Sequence, residues 1–127
     1  IDKNKNYIGG MIYPGIGVSL DSLTANASQL GGISLEAPEH IIGKNTVECM
    51  KSGTIYSAAA AIDGIIDRLA EELDGDVTVV ATGGLAGKIV PHCRRKVRLD
   101  EDLLLKGLAV IYQKNRPFTQ LKFPRKD

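Results

Sequence analysis

The stretch IGKNTVECMKSGTIYSAAAAIDGIIDRL, Ile42 to Leu69, decides how this chain is read. It opens on a turn, Ile42-Gly43-Lys44, and then starts a long helix. Asn45 is a preferred N-cap residue, because its short side chain accepts from a backbone N–H that the first turn leaves free. Glu48 falls three positions later, where a capping-box carboxylate reaches back. Val47, Met50, Thr54, Ala58, Ala61, Ile62, Ile65 and Leu69 then recur at steps of three and four, which is one face of an α-helix. Gly53 and Gly64 interrupt it, each costing about 1 kcal/mol against alanine inside a helix. Glycines kept there, together with Ala58 to Ala61, predict a close packing partner on this helix. Thr46 lies in the first turn, where free N–H groups and the helix dipole favour an anionic or hydrogen-bonding ligand. On the helix start alone, Thr46 reads first as a capping hydroxyl and second as a ligand contact.

The 127 residues are one domain's worth, enough for one real core. With 16 basic and 15 acidic side chains, the charge gives no support for nucleic acid or an anionic membrane as the main partner. No apolar run reaches the roughly 18 residues of a membrane span. The start, Ile1-Asp2-Lys3-Asn4-Lys5, does not resemble a signal peptide. Cys49 and Cys93 are too few for a disulfide framework, so a cytoplasmic location is expected. Ile1 in place of an initiator Met reads as the middle of a longer protein.

Outward from the central helix, Tyr7 to Ile12 reads as a strand running into Gly9-Gly10 and ending at Pro14-Gly15, where bare backbone can approach a ligand. Ile16, Leu20, Leu23, Ala27 and Leu30 give an amphipathic helix closed by Gly31-Gly32. Ile33 to Leu35 is a short extended piece, and Glu36 to Glu39 a loop. Beyond the central helix, Gly75 is placed as its left-handed C-terminal residue. Asp76 to Ala81 is a nearly continuous apolar run, suited to a parallel strand buried on both faces. It ends at Thr82-Gly83-Gly84, and Leu85 to Val90 reads as a helix. A strand, a Thr-Gly-Gly turn and a helix can cradle a phosphate with successive N–H groups, or can be simply a tight turn. The turn lacks the lysine of a P-loop and the third glycine of a dinucleotide fingerprint. Lys96 to Leu99 is a strand. Asp100 caps a last helix whose buried face is Leu103, Leu104, Leu108, Ile111 and Tyr112. Strands alternating with helices predict an α/β domain with a mixed sheet flanked by helices.

The chemical inventory has a gap. His40 and His92 have no metal-ligand spacing, and Cys93 beside His92 reads as a chance neighbour. Asp63 and Asp67 read as a solvated helix face rather than paired catalysts. No catalytic residue and no metal ligand stands out. The residues that do are small and hydrogen-bonding, which suits a binding half rather than a complete active site.

Several segments together carry a family resemblance: Tyr7 to Gly15, Leu23-Thr24-Ala25, Ile42 to Thr46 with Ser52-Gly53, Ala81 to Gly84, and Leu103 to Leu108 with Ile111-Tyr112 and Asn115. Their order and spacing over roughly residues 7 to 115 resemble the C-terminal half of a type III pantothenate kinase. Each motif alone is weak; the set is specific. One departure is Gly31, where the family usually has proline.

The resemblance implies half of an actin-like ATPase, or ribonuclease H-like, two-domain fold. Residues 1–115 would be a C-terminal domain lacking its first strands, and residues 116–127 a basic, proline-containing tail. The implied reaction is ATP-dependent phosphorylation of pantothenate to 4′-phosphopantothenate, the first step of coenzyme A synthesis, by a homodimer. The implied cofactors are ATP with Mg2+ and a monovalent cation, potassium or ammonium, held mainly by an upstream segment. Thr46 would bind pantothenate, Gly83 and Gly84 would lie on the nucleotide side, and Gly9, Gly10, Pro14 and Gly15 would border the site. The catalytic aspartate and the main phosphate-binding loop of the family precede the equivalent of Ile1, so the partner implied is the N-terminal half of the same enzyme, and this chain alone is expected to be inactive. Two alternatives stay open here: a regulatory or accessory protein on the same fold, and another actin-like small-molecule kinase.

Overall fold

The computed structural model describes residues 1–25, 33–73, 75 and 77–115. In chain order they form helix α1 (Ile16–Ala25), helix α2 (Thr46–Glu72), strand β1 (Val79–Ala81), helix α3 (Ala86–Ile89) running into a 3-10 turn (Val90–His92), strand β2 (Val97–Leu99) and helix α4 (Leu103–Asn115). The class is α/β. The two strands are parallel, with Val79 opposite Val97 and Ala81 opposite Leu99. A parallel pair needs a crossover, and residues 82–96 supply it through α3.

Helix α2, 27 residues long, is the spine. Asn45 caps it, its side chain accepting the Glu48 N–H at 3.0 Å. Glu48 reaches back as expected, but one residue further, to the Lys44 N–H at 2.8 Å. The turn before the helix is therefore folded onto it. The Ser52 hydroxyl donates to the Ile41 carbonyl, and the Cys49 thiol to the Gly43 carbonyl at 3.4 Å. At the far end the Leu73 N–H donates to Leu69 O, and the Gly75 N–H to Ala70 O.

The core is small. Ile55 is fully buried and packs with Ile16 and Ala58, flanked by Leu35, Ala37 and Ile89. The buried stripe of α2 runs through Ser52, Ile55, Ala59 and Ile66, with Thr54 and Ala58 beside it. That is offset from the predicted face, because α1, the 35–37 loop and α3 cover one flank of the helix. On the predicted face Ile62 and Ile65 are half-buried and Leu69 is exposed. The expected close packing holds at the alanines and not at the glycines. A Cβ at Gly53 would meet nothing within 4 Å, and at Gly64 only the Arg68 side chain. The small residues in tight contact are Ala58 and Ala59.

Three other expectations are corrected. Residues 7–12 are not a strand: among the described residues nothing pairs with them, and Tyr7 and Ile12 are exposed. Without that strand the described sheet is parallel rather than mixed. Strand β1 is shorter than predicted and not buried on both faces, since Val80 is 43 % exposed. The predicted buried face of α4 is open, with Leu104 71 % and Ile111 58 % exposed, because no described element packs on it. In the piece at Ile33 to Leu35, Leu35 packs on the core. Within α1, Ile16 and Leu20 are buried and Leu23 is exposed; Ala27, Leu30 and Gly31-Gly32 fall outside the described residues, as does the 116–127 tail.

Candidate functional site

Strand β1 and α1 converge on one groove. Its walls come from Gly15 and Ile16 at the start of α1, Ile62 of α2, and the turn Thr82-Gly83-Gly84 after β1; its volume is about 590 Å3. The Gly15 carbonyl accepts the Ser19 N–H at 3.0 Å and the Ser19 hydroxyl at 3.2 Å, which fixes the first turn of α1. Gly83 has φ +102°, a left-handed value that a side chain rarely adopts, and its carbonyl accepts the Ala86 N–H at 3.0 Å. A Cβ at Gly83 or Gly84 would meet nothing within 4 Å. Backbone geometry therefore requires glycine at 83, whereas at 84 the main chain simply lies bare and open to a ligand. Most of the wall is apolar, which suits the flat face of a ring as well as the stem of an aliphatic chain.

Thr46 lies elsewhere. It is the first residue of α2, exposed, with Asn45 rather than Thr46 doing the capping. Ile62 is sixteen residues further along, so Thr46 is about 24 Å from the groove measured along the helix axis. Gly9, Gly10 and Pro14 are exposed and are not among the groove's lining residues. Gly9 has φ +145°, and a Cβ at Gly10 would come within 2.9 Å of the Tyr7 hydroxyl, so both shape the bend of that segment. The structure thus gathers Gly15, Gly83 and Gly84, and leaves Thr46, Gly9, Gly10 and Pro14 apart from them.

Gly43 has a sharper requirement than any of these. A Cβ there would collide with Cys49 N and would sit 2.7 Å from Glu48 C and 2.9 Å from Cys49 Cα. Those are backbone atoms of the helix that begins at Thr46. The turn that delivers Thr46 therefore fits only with glycine at 43.

Asp63, half-buried on the flank of α2, has partners that its spacing with Asp67 does not reveal. Its Oδ2 accepts the Arg94 N–H at 2.8 Å and its Oδ1 the Arg95 N–H at 2.9 Å. Asp67, one turn on, is ion-paired with the Arg95 side chain. Nearby, the Tyr56 and His92 rings meet edge to face, with centroids 5.2 Å apart. The available signal was the basic run Arg94-Arg95-Lys96 opposite two acids on one helix flank. Burial, and then the charge of Asp63, push the Cys93 thiol above its usual range, which favours the protonated form.

Among the described residues no cluster of His, Cys, Asp or Glu is placed to hold a metal ion. The groove's lining contains no carboxylate, imidazole or thiol. The Mg2+ and monovalent cation implied by the resemblance therefore find no fitting ligand set in it. Nor is any helix among the described residues long and apolar enough to cross a membrane.

A family model described as type III pantothenate kinase matches residues 1–68, more than half of the chain. The chain belongs to the type III pantothenate kinase family. Curated relatives agree beyond the matched region. A type III pantothenate kinase of Moorella thermoacetica is 44 % identical over 115 residues, which is 91 % of this chain and 45 % of the relative. One from an Exiguobacterium species is 44 % identical over 116 residues, 91 % of this chain and 45 % of the relative. One from Acidothermus cellulolyticus is 42 % identical over 117 residues, 92 % of this chain and 46 % of the relative. The chain thus spans about half the length of the relatives it matches.

Proposed function

We propose that this chain is the substrate-anchoring and nucleotide-cleft half of an enzyme that phosphorylates pantothenate with ATP, giving 4′-phosphopantothenate for coenzyme A synthesis. The observation that carries this reading is the family match together with Gly15, Gly83 and Gly84 on one open groove. In the proposal, residues 1–115 are the C-terminal domain of an actin-like ATPase fold and residues 116–127 a tail. The bare backbone of Gly83 and Gly84 borders ATP. Gly15 lies beside it, and Gly9, Gly10 and Pro14 belong to the segment that leads into Gly15. Thr46 donates or accepts a hydrogen bond with pantothenate. Because Thr46 lies far from the groove on the same helix, a second copy of the chain is the natural way to bring an anchor to each nucleotide cleft. A homodimer is therefore part of the proposal, as is a cytoplasmic location.

Phosphoryl transfer needs positioning and charge neutralisation more than covalent help. The groove described here supplies positioning. Its apolar walls can exclude water from the ring end of the nucleotide, and its bare turn can approach the polar end. It offers no carboxylate to accept the proton of the attacking pantothenate hydroxyl. That carboxylate, and the residues holding Mg2+ and a potassium or ammonium ion, belong in this proposal to the N-terminal half of the same enzyme.

The test is substrate choice. Full-length enzyme is offered ATP with an equimolar mixture of pantothenate and common hexoses, and the phosphorylated products are identified by mass spectrometry. Phosphopantothenate as the dominant product is expected. A phosphorylated sugar in its place, or ATP consumption indifferent to pantothenate, would remove this reading.

A further inference from the structure

We propose that Asp63 is a positioning residue for the Gly83-Gly84 turn: its carboxylate clamps the far end of the crossover that begins at that turn. The inference rests on the nucleotide-side reading of the turn. The crossover, residues 82–96, leaves β1 through the glycines and returns to β2. Its start is held by the parallel pairing and by the Asp100 N–H, which donates to the Ala81 carbonyl at 2.9 Å. The glycine turn itself has one internal hydrogen bond, Ala86 N–H to Gly83 O, and φ +102° at Gly83. Its place relative to α2 is therefore set by whatever holds the rest of the crossover down.

Several contacts do so, among them the edge-to-face pair of Tyr56 on α2 with His92. Ile89 packs on the core beside Ile55. The Lys88 ammonium donates to the Leu35 carbonyl at 2.8 Å, on an exposed surface. Asp63 takes two successive backbone N–H groups, those of Arg94 and Arg95, on its two oxygens. The last fixes geometry as well as distance, because a carboxylate accepting two N–H groups makes charge-assisted bonds in a set orientation. Asp67 adds a second tie through the Arg95 side chain. Asp63 also follows Ile62, which lines the groove. One turn of α2 thus forms part of the groove wall and fixes the segment carrying the opposite wall. Loss of the clamp frees the returning end just before β2 and lets the 3-10 turn and α3 tilt away from α2, carrying Gly83 and Gly84 with them. Asp63 would touch neither substrate; it would act through the backbone.

The experiment uses full-length enzyme with Asp63→Ala and Asp63→Asn, each substrate varied separately, alongside amide hydrogen exchange. Asp63→Ala is expected to raise the KM for ATP by about tenfold, the scale of one lost charge-assisted bond, and to leave the KM for pantothenate within about twofold. Asp63→Asn keeps one acceptor oxygen but sets an NH2 donor against the other N–H and removes the charge, so it should recover only part of the loss. Exchange at the Arg94, Arg95 and Ala86 amides should quicken in Asp63→Ala. If wild-type enzyme shows no pantothenate-dependent ATP turnover, the functional reading fails, and that failure is visible apart from the clamp, which the exchange arm still tests. Unchanged ATP KM in a folded variant, equal losses for both substrates, or unchanged exchange at Ala86 would each overturn the proposal. If Asp63→Ala does not fold, Asp63→Asn carries the same comparison with a smaller expected shift.

Discussion

Gly43→Ala is the substitution whose cost the structure fixes best. The added methyl would collide with Cys49 N and lie 2.7 Å from Glu48 C. Both are backbone atoms in a capped helical turn, so neither can rotate aside as a side chain could. Overpacking of this kind costs about 1–3 kcal/mol. The turn can escape only by lifting off the helix. Lifting stretches the Lys44 N–H to Glu48 bond, 2.8 Å, and the Cys49 thiol to Gly43 carbonyl bond, 3.4 Å, and pulls on the Ser52 to Ile41 bond. Each such bond contributes about 0.5–1.5 kcal/mol net. Strain and lost bonds are alternatives rather than a sum, so the expected destabilisation is about 2–3 kcal/mol. In a protein of the relatives' length that lowers Tm by roughly 5–10 °C. Thermal denaturation followed by circular dichroism reads this directly, and kinetics should show pantothenate use falling more than ATP use, since this turn presents Thr46. A Gly43→Ala enzyme within about 1 °C of wild type, inside the scatter expected for a neutral surface change, would refute the close approach.

Thr46→Ala should weaken pantothenate use by about 0.5–1.5 kcal/mol with little effect on ATP. Because Asn45 is the cap, Tm should barely move; steady-state kinetics with each substrate varied, plus a melting curve, check both halves. Sedimentation of full-length enzyme at micromolar concentration should report a homodimer, and a clean monomer would contradict the sharing of sites between copies. Acid stability should depend on Asp100, whose carboxyl is held below its usual range chiefly by the Lys106 ammonium, which donates to its oxygens at 2.7 and 2.8 Å. A lowered folded-state value means the stabilisation is present above the ordinary carboxylate range, near pH 4, and is lost as pH falls through the folded value. Wild type and Lys106→Met should therefore differ in Tm at neutral pH and converge in strong acid; a gap that persists undiminished there would contradict the pairing.

What the sequence made legible was local. The cap at Asn45, the reach of Glu48, the span of the long helix and the parallel strand before Thr82-Gly83-Gly84 follow from short-range rules, and the structure has them. What failed lay among the features that need a distant partner. Residues 7–12 have the composition of a strand but pair with nothing described, and the apolar stripe of α4 is uncovered. Composition reports that a face wants burial, not which surface buries it. The same limit hid Asp63, whose partners are backbone N–H groups 31 and 32 positions away. Of the candidate site, the glycines at 83 and 84 were visible as punctuation after a strand. Their meeting with Gly15 across a groove needed the crossover and α1 in place.

The central claim is that this chain supplies binding surfaces while the other half of the enzyme supplies the carboxylate and most phosphate contacts. The direct measurement is to express residues 1–127 alone, and again beside the N-terminal half as a separate chain, and to follow pantothenate-dependent ATP consumption. Residues 1–127 alone should show no turnover, and turnover should appear once the second chain is present, with the exposed apolar faces of residues 7–13 and α4 protected from solvent in the pair. Turnover by residues 1–127 alone would contradict the claim.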